Sequence, residues 1–162
     1  MTEFYAQPYS LEHTGFYFDS IETYEDGMEK LNNRGCEEVE IQLIDGEDHL
    51  CELAKSISIG QGDIHLWFDA LEELEDSDII RIIFLLDDIG YFIKEALDRY
   101  DEVCLYHGSV EDYAQELIEE ITDIPETLRF YIDYEGIARD MKNNGEIIEI
   151  ESDLLVTNTN NF

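Results

Sequence analysis

Positive charge is what this sequence has least of: 9 Lys and Arg stand against 41 Asp and Glu, a net charge of −32 over 162 residues. So few cations exclude direct binding to nucleic-acid phosphates, which Lys and Arg must neutralise. Cysteine is scarce as well. Cys36, Cys51 and Cys104 are odd in number and lack paired spacing, which excludes a disulfide framework and suits a reducing cytoplasm. Met1 to Ser10 has neither a basic nor an apolar leader region, so no secretory signal is expected. The longest apolar stretch, Ile79 to Ile93, contains Arg81, Asp87 and Asp88; it is too short and too charged to cross a bilayer.

Motifs that carry chemistry are missing too. There is no glycine-rich phosphate loop, no nucleophile elbow and no Asp-x-Asp-x-Asp-Gly calcium loop. His13, His49, His65 and His107 share no metal spacing, and Cys104 with His107 is one isolated pair where a zinc site wants four ligands. On so acidic a chain, carboxylate pairs arise by chance and nominate no glycosidase acid or nucleophile. The reading is a protein without catalytic residues, metal or cofactor. A hydrolase using a carboxylate pair and an acidic scaffold for cations or basic proteins stand as rivals of a different class.

What is present is enough apolar material to fold, with hydrophobic residues at 44% and aromatic residues at 12%; an acidic disordered tail would be poor in both. Charge is spread through the chain. Segments 1–58, 59–101 and 102–162 carry net charges of −11, −9 and −12. A domain that needed only solubility would carry about 2–8. A halophilic origin also gives acidic, lysine-poor chains, although 20 Ile against 6 Ala argue against it.

The expected fold class is α+β, in three modules: β-rich over 1–58, a helical bundle over 59–101 and mixed α+β over 102–162. Phe4, Ala6 and Pro8 alternate with Tyr5, Gln7 and Tyr9 as a strand, and Gly15–Asp19 is a second β-rich run. Ser20 or Asp19 caps a helix through about Leu31. Val39, Ile41 and Leu43 alternate with charged or polar residues as a half-buried strand. A boundary is placed at Ile57 to Gly62. Asp63 is then read as capping a helix with Ile64, Trp67, Phe68 and Leu71 inward. A central helix runs from Asp78 to about Ile89 and ends at Gly90, and another turns Ile93, Ala96, Leu97 and Tyr100 inward. In the last segment, Val103 to Tyr106 reads as a strand and Ser109–Asp112 as a capping box. The helix behind it buries Val110, Tyr113, Ala114, Leu117, Ile118 and Ile121. Pro125 suits a helix start, and Asp133 caps a helix ending before Gly145. Glu146 to Glu151 pairs as a strand with Leu154 to Thr157. Phe130, Tyr131 and Tyr134 are assigned to core packing, with an interface as the alternative.

Duplex DNA has one charge per ~1.7 Å of axis, or one per ~110 Å² on a cylinder of about 10 Å radius. A folded protein of 18.9 kDa exposes roughly 8,000 Å², so 32 net charges average one per ~260 Å². Imitating DNA therefore requires carboxylates gathered on one side. The candidates are Asp69, Glu72, Glu73, Asp76, Asp98 and Asp101 in the middle segment, and Glu111, Asp112, Glu116, Glu119 and Glu120 in the last. The last five share the outer face of one helix with no basic residue on that helix to pair them. They would stand in for phosphates before a groove lined with Lys and Arg.

Gly108–Leu117, Ile124–Arg129, Tyr131–Glu135 and Ala138–Met141 with Gly145 resemble the C-terminal signature of ArdA-type antirestriction proteins. Gly90-Tyr91 and Ala96-Leu97-Asp98 are similar to that family's helical module, and Phe4-Tyr5-Ala6 with Gly15–Phe18 to its opening strands. The resemblance implies three small modules strung into a bent rod and a homodimer. It also implies inhibition of Type I restriction-modification complexes, at the methyltransferase core, by occupying their DNA path. Such proteins travel on mobile genetic elements and act in the host bacterial cytoplasm. A close alternative keeps the mimicry and changes the target to another DNA-binding defence complex.

Overall fold

A computed structural model describes residues Thr2–Phe162, which divide into two compact units, residues 2–98 and 99–162. Each contains one three-stranded antiparallel sheet, giving an α+β chain.

In the first unit, β1 (Glu3–Pro8) lies between β2 (Phe16–Phe18) and β3 (Val39–Asp45). Its alternation works as read: Phe4, Ala6 and Pro8 are buried. α1 (Ile21–Asn32) follows β2 and α2 (Asp48–Ser56) follows β3. Ser20 caps α1, its hydroxyl accepting from Thr23 N–H while the Thr23 hydroxyl accepts from Ser20 N–H. Helical residues 64–71 begin as α3 (Ile64–Leu66) and close with a wider π turn over Trp67–Leu71. Phe4 is the hub of the unit, stacked on Phe18 with centroids 5.4 Å apart and edge-on to Trp67 at 5.4 Å and Phe68 at 6.0 Å. These rings join segment 1–58 to residues 64–71 in one core, so Ile57 to Gly62 is a connection inside the unit.

α4 (Asp76–Phe84) buries Ile79, Ile80, Ile82 and Phe84, then widens into a second π turn over Leu85–Ile89. Gly90 stops it in the left-handed region, at φ 88°, where a side chain would be strained. α5 (Ile93–Arg99) buries Ala96 completely and leaves Ile93 and Leu97 half-buried, as is Tyr100 in the 3₁₀ turn that follows. Asp63 does not cap forward as expected. Its carboxylate turns back to accept from Gly60 N–H at 3.0 Å, closing the 3₁₀ turn Gln61–Asp63.

Gly27 sits within α1, where glycine costs roughly 1 kcal/mol relative to alanine. The reason is contact: a methyl at Gly27 would stand 2.1 Å from the Phe16 ring, which lies in the notch that glycine leaves.

In the second unit, β6 (Leu154–Val156) lies between β4 (Leu105–His107) and β5 (Ile148–Glu151). Central position explains why Leu154, Leu155 and Val156 are all buried without alternation. β4 begins at Leu105 and runs to His107, later than the Val103–Tyr106 strand read from sequence. α6 (Val110–Ile121) and α7 (Tyr134–Asn143) pack through Val110, Ala114, Ala138 and Met141, with Ile147 and Leu155 beneath. Both caps hold: Ser109 accepts from Asp112 N–H, and Asp133 from Gly136 N–H at 2.9 Å. Three expectations fail. Pro125 starts no helix; its carbonyl accepts from Leu128 N–H at 2.8 Å, closing a turn. Ile121, expected inward, is 67% exposed because α6 ends there and nothing covers its last turn. Phe130 and Tyr131 are not core residues but 92% and 84% exposed, carried outward by the 3₁₀ turn Arg129–Tyr131, which leaves the interface alternative open for them.

Candidate functional site

α6 begins where a strong cap fixes it. Ser109 N–H and hydroxyl both reach the Asp112 carboxylate, at 3.2 and 2.6 Å, and these bonds hold Asp112 below its ordinary pKa of 3.8. From that start, 100° per residue puts Glu111, Asp112, Glu116, Glu119 and Glu120 within one half of the circumference. They span about 14 Å of helix axis at uneven gaps of roughly 1.5, 6, 4.5 and 1.5 Å, a mean of ~3.4 Å. One strand of duplex DNA also carries one phosphate per ~3.4 Å of axis.

Four of the five, Glu111, Asp112, Glu116 and Glu120, are exposed. Glu119 is different. It is half-buried, accepting from Gln115 Nε2 at 3.1 Å and Tyr134 OH at 3.5 Å, and it pairs with Arg129 Nη1 at 3.4 Å. The face thus meets a cation that α6 itself does not carry, brought by the turn after Pro125. Burial, and then the charge of Glu119, raises the Tyr134 pKa. Tyr106 is pushed up to about 12 by burial and then by its hydrogen bond to Glu116, so its hydroxyl stays protonated and donates to that carboxylate. The tyrosine and glutamine donors fix where the charges stand without neutralising them, whereas Arg129 offsets the charge of Glu119.

In the first unit Asp69, Glu73 and Asp76 are exposed. Glu72 points elsewhere: one oxygen accepts from Thr2 N–H at 2.6 Å and from the Thr2 hydroxyl at 2.7 Å, and the residue is half-buried. Asp98 on α5 and Asp101 in the 3₁₀ turn Tyr100–Glu102 are exposed, each in its own unit.

Asp87 and Asp88, which in the sequence stand out only as interruptions of an apolar run, lie exposed side by side on the second π turn. Desolvation, and then the Asp87 charge, raises the Asp88 pKa. The signal available in the sequence was their place just before a helix-ending Gly90, where acids oppose the helix dipole and weaken the fold. Glu119 and Glu120 sit equally badly in the last turn of α6, which carries no basic residue. An acid so placed costs typically about 0.3–1 kcal/mol.

Among the described residues no cluster of His, Cys, Asp and Glu is arranged to hold a metal ion, and no helix is long and apolar enough to cross a membrane. The chain is an α+β protein in which helix α6 presents exposed carboxylates along one face. The family of the antirestriction protein ArdA matches residues 2–156, and the chain belongs to that family. Neither the curated proteins nor the solved structures hold a match to it. Antirestriction is therefore its function at the level the family defines.

Proposed function

We infer that the chain is a stoichiometric, non-catalytic inhibitor of Type I restriction-modification complexes, in which carboxylates take the place of DNA phosphates in the groove of the methyltransferase core. The carrying observation is the outer face of α6, where five acids reach on average about the axial charge density of one DNA strand and the helix itself offers no cation. A groove built to bind phosphate presents Arg and Lys donors that accept carboxylate in the same geometry. Opposite potentials steer the encounter, and salt weakens it because exposed charges more than ~8 Å apart are screened at physiological ionic strength. Exposed Asp69, Glu73, Asp76, Asp98 and Asp101 extend the set, with Glu119 and Glu72 contributing through position more than free charge. Action against a restriction complex implies the host bacterial cytoplasm as the place of work.

A homodimer accompanies this reading. Ile121, Leu128, Phe130 and Tyr131 are 67%, 53%, 92% and 84% exposed along one short stretch of chain. Exposed aromatic groups of this kind mark association surfaces.

The test is displacement of labelled duplex DNA from a purified Type I methyltransferase by increasing amounts of the protein. Displacement at one equivalent, falling roughly a hundredfold when Glu111, Glu116 and Glu120 are all changed to Lys, supports the reading. Inhibition without displacement of DNA overturns it. Displacement from another DNA-binding defence complex but not from the methyltransferase moves the target.

A further inference from the structure

Cations are rare enough here that two in one cavity require an account. Lys30 and Arg34 line a cavity of about 340 Å³ between β2 and α1, within the 300–1,000 Å³ range of small-molecule sites. Its apolar wall is Phe16, Gly27 and Leu31, and the Gly27 notch that admits the Phe16 ring is what shapes it. Thr14 adds a hydroxyl. Asp26 offsets one of the two charges, leaving one positive in excess.

In this unit acids outnumber cations about fivefold, yet neither the Lys30 ammonium nor the Arg34 guanidinium takes an ion pair or a side-chain hydrogen bond among the described residues. Arg81, by contrast, pairs with Asp78 at 2.6 Å. We propose that this cavity binds a small anion carrying a flat apolar group, in the size class of a nucleoside monophosphate. The guanidinium fork and the ammonium would hold the anionic oxygens, and the flat group would lie on Phe16 and Leu31. The site shares no residue with the carboxylate faces and does not depend on the restriction reading.

A plainer role for both cations is to complement the C-terminal dipole of α1, which needs no ligand. Calorimetric titration of the full chain with adenosine monophosphate, inorganic phosphate and adenosine separates the two. Adenosine monophosphate should bind more tightly than either part. The double variant Lys30→Gln, Arg34→Gln should lose at least tenfold in affinity, and Lys30→Arg, Arg34→Lys should restore most of it. The surrounding acids repel an anion over distances that salt screens, whereas contacts inside the cavity are shorter than the Debye length. Affinity should therefore hold or rise as salt goes from about 20 to about 150 mM. No heat of binding, equal affinity in the double Gln variant with its melting curve unchanged, or adenosine binding as well as its phosphate would overturn the proposal. If the double Gln variant does not fold, the Arg/Lys exchange variant decides: adenosine monophosphate must again bind it at least tenfold more tightly than adenosine does.

Discussion

The indole N–H of Trp67 donates to the hydroxyl of Thr2 at 2.9 Å, with both side chains wholly out of water. That hydroxyl donates in turn to Glu72 at 2.7 Å, so one side chain satisfies a buried donor and positions a carboxylate. Thr2→Val keeps the shape and removes both bonds. A buried N–H left unpaired costs about 1–3 kcal/mol, so urea unfolding should show a loss of that size. A melt within 0.3 kcal/mol of the parent, as a rough margin, would show that Trp67 finds another acceptor.

The same relationship divides the first unit's candidate acids by what their mutation means. Glu72→Lys should reduce stability and inhibition together, whereas Asp69→Lys or Glu73→Lys should leave the melting temperature nearly unchanged. Exposed positions of this sort usually stay within about 0.5 kcal/mol. Equal destabilisation at all three would remove the distinction between a structural and a surface carboxylate.

Phe130 and Tyr131 carry the association prediction. Replacing both with Asp should shift the particle from dimer to monomer in sedimentation velocity, with little change in the melt, because neither ring packs into the core. An unchanged mass would move the interface elsewhere or show that the protein is a monomer.

Period and capping made much of the fold readable. Phe4, Ala6 and Pro8 alternate because a strand exposes one face, and Ser20, Ser109 and Asp133 cap because their oxygens reach N–H groups left free at helix starts. The failures come from contacts that local pattern does not encode. Asp63 had a nearer donor in Gly60 N–H, and Pro125 satisfies the local rule for a helix start in a stretch that forms only turns. The exposed face of α6 followed from its period, but the attachment of Glu119 to Arg129 depends on where the chain returns after the helix. Glu72 was likewise assigned outward by period. The π turn over Trp67–Leu71 and the long-range bond to Thr2 set its real place.

Asp88 gives the protein a pH response of predictable sign. Desolvation, with Asp87 beside it, raises its folded pKa above the ordinary 3.8, so the fold favours its protonated form. Its stabilising contribution is complete below the unfolded value and is lost as pH rises through the folded one. Asp112 acts oppositely: its folded pKa is lowered, so its contribution persists above 3.8 and fades only below that. Melting temperature should therefore rise as pH falls from 7 toward about 4. Asp88→Asn should melt higher at pH 7 and with a shallower pH slope. Superimposable slopes for parent and variant would remove Asp88 as a cause.

Glu120 offers the sharpest separation of stability from function. It is exposed in the last turn of α6, where the helix dipole disfavours an acid and no basic residue compensates. Glu120→Lys reverses that sign and should raise the melting temperature by on the order of 1–3 °C. If the carboxylate is kept for contact with a basic groove, the same variant should displace DNA from the methyltransferase less well, by up to about threefold, since many charges share the contact. Adding Glu111→Lys and Glu116→Lys should deepen the loss far beyond the product of small single effects. A stabilised variant with undiminished displacement would mean that the end of α6 lies outside the contact and that the acids there serve some other need.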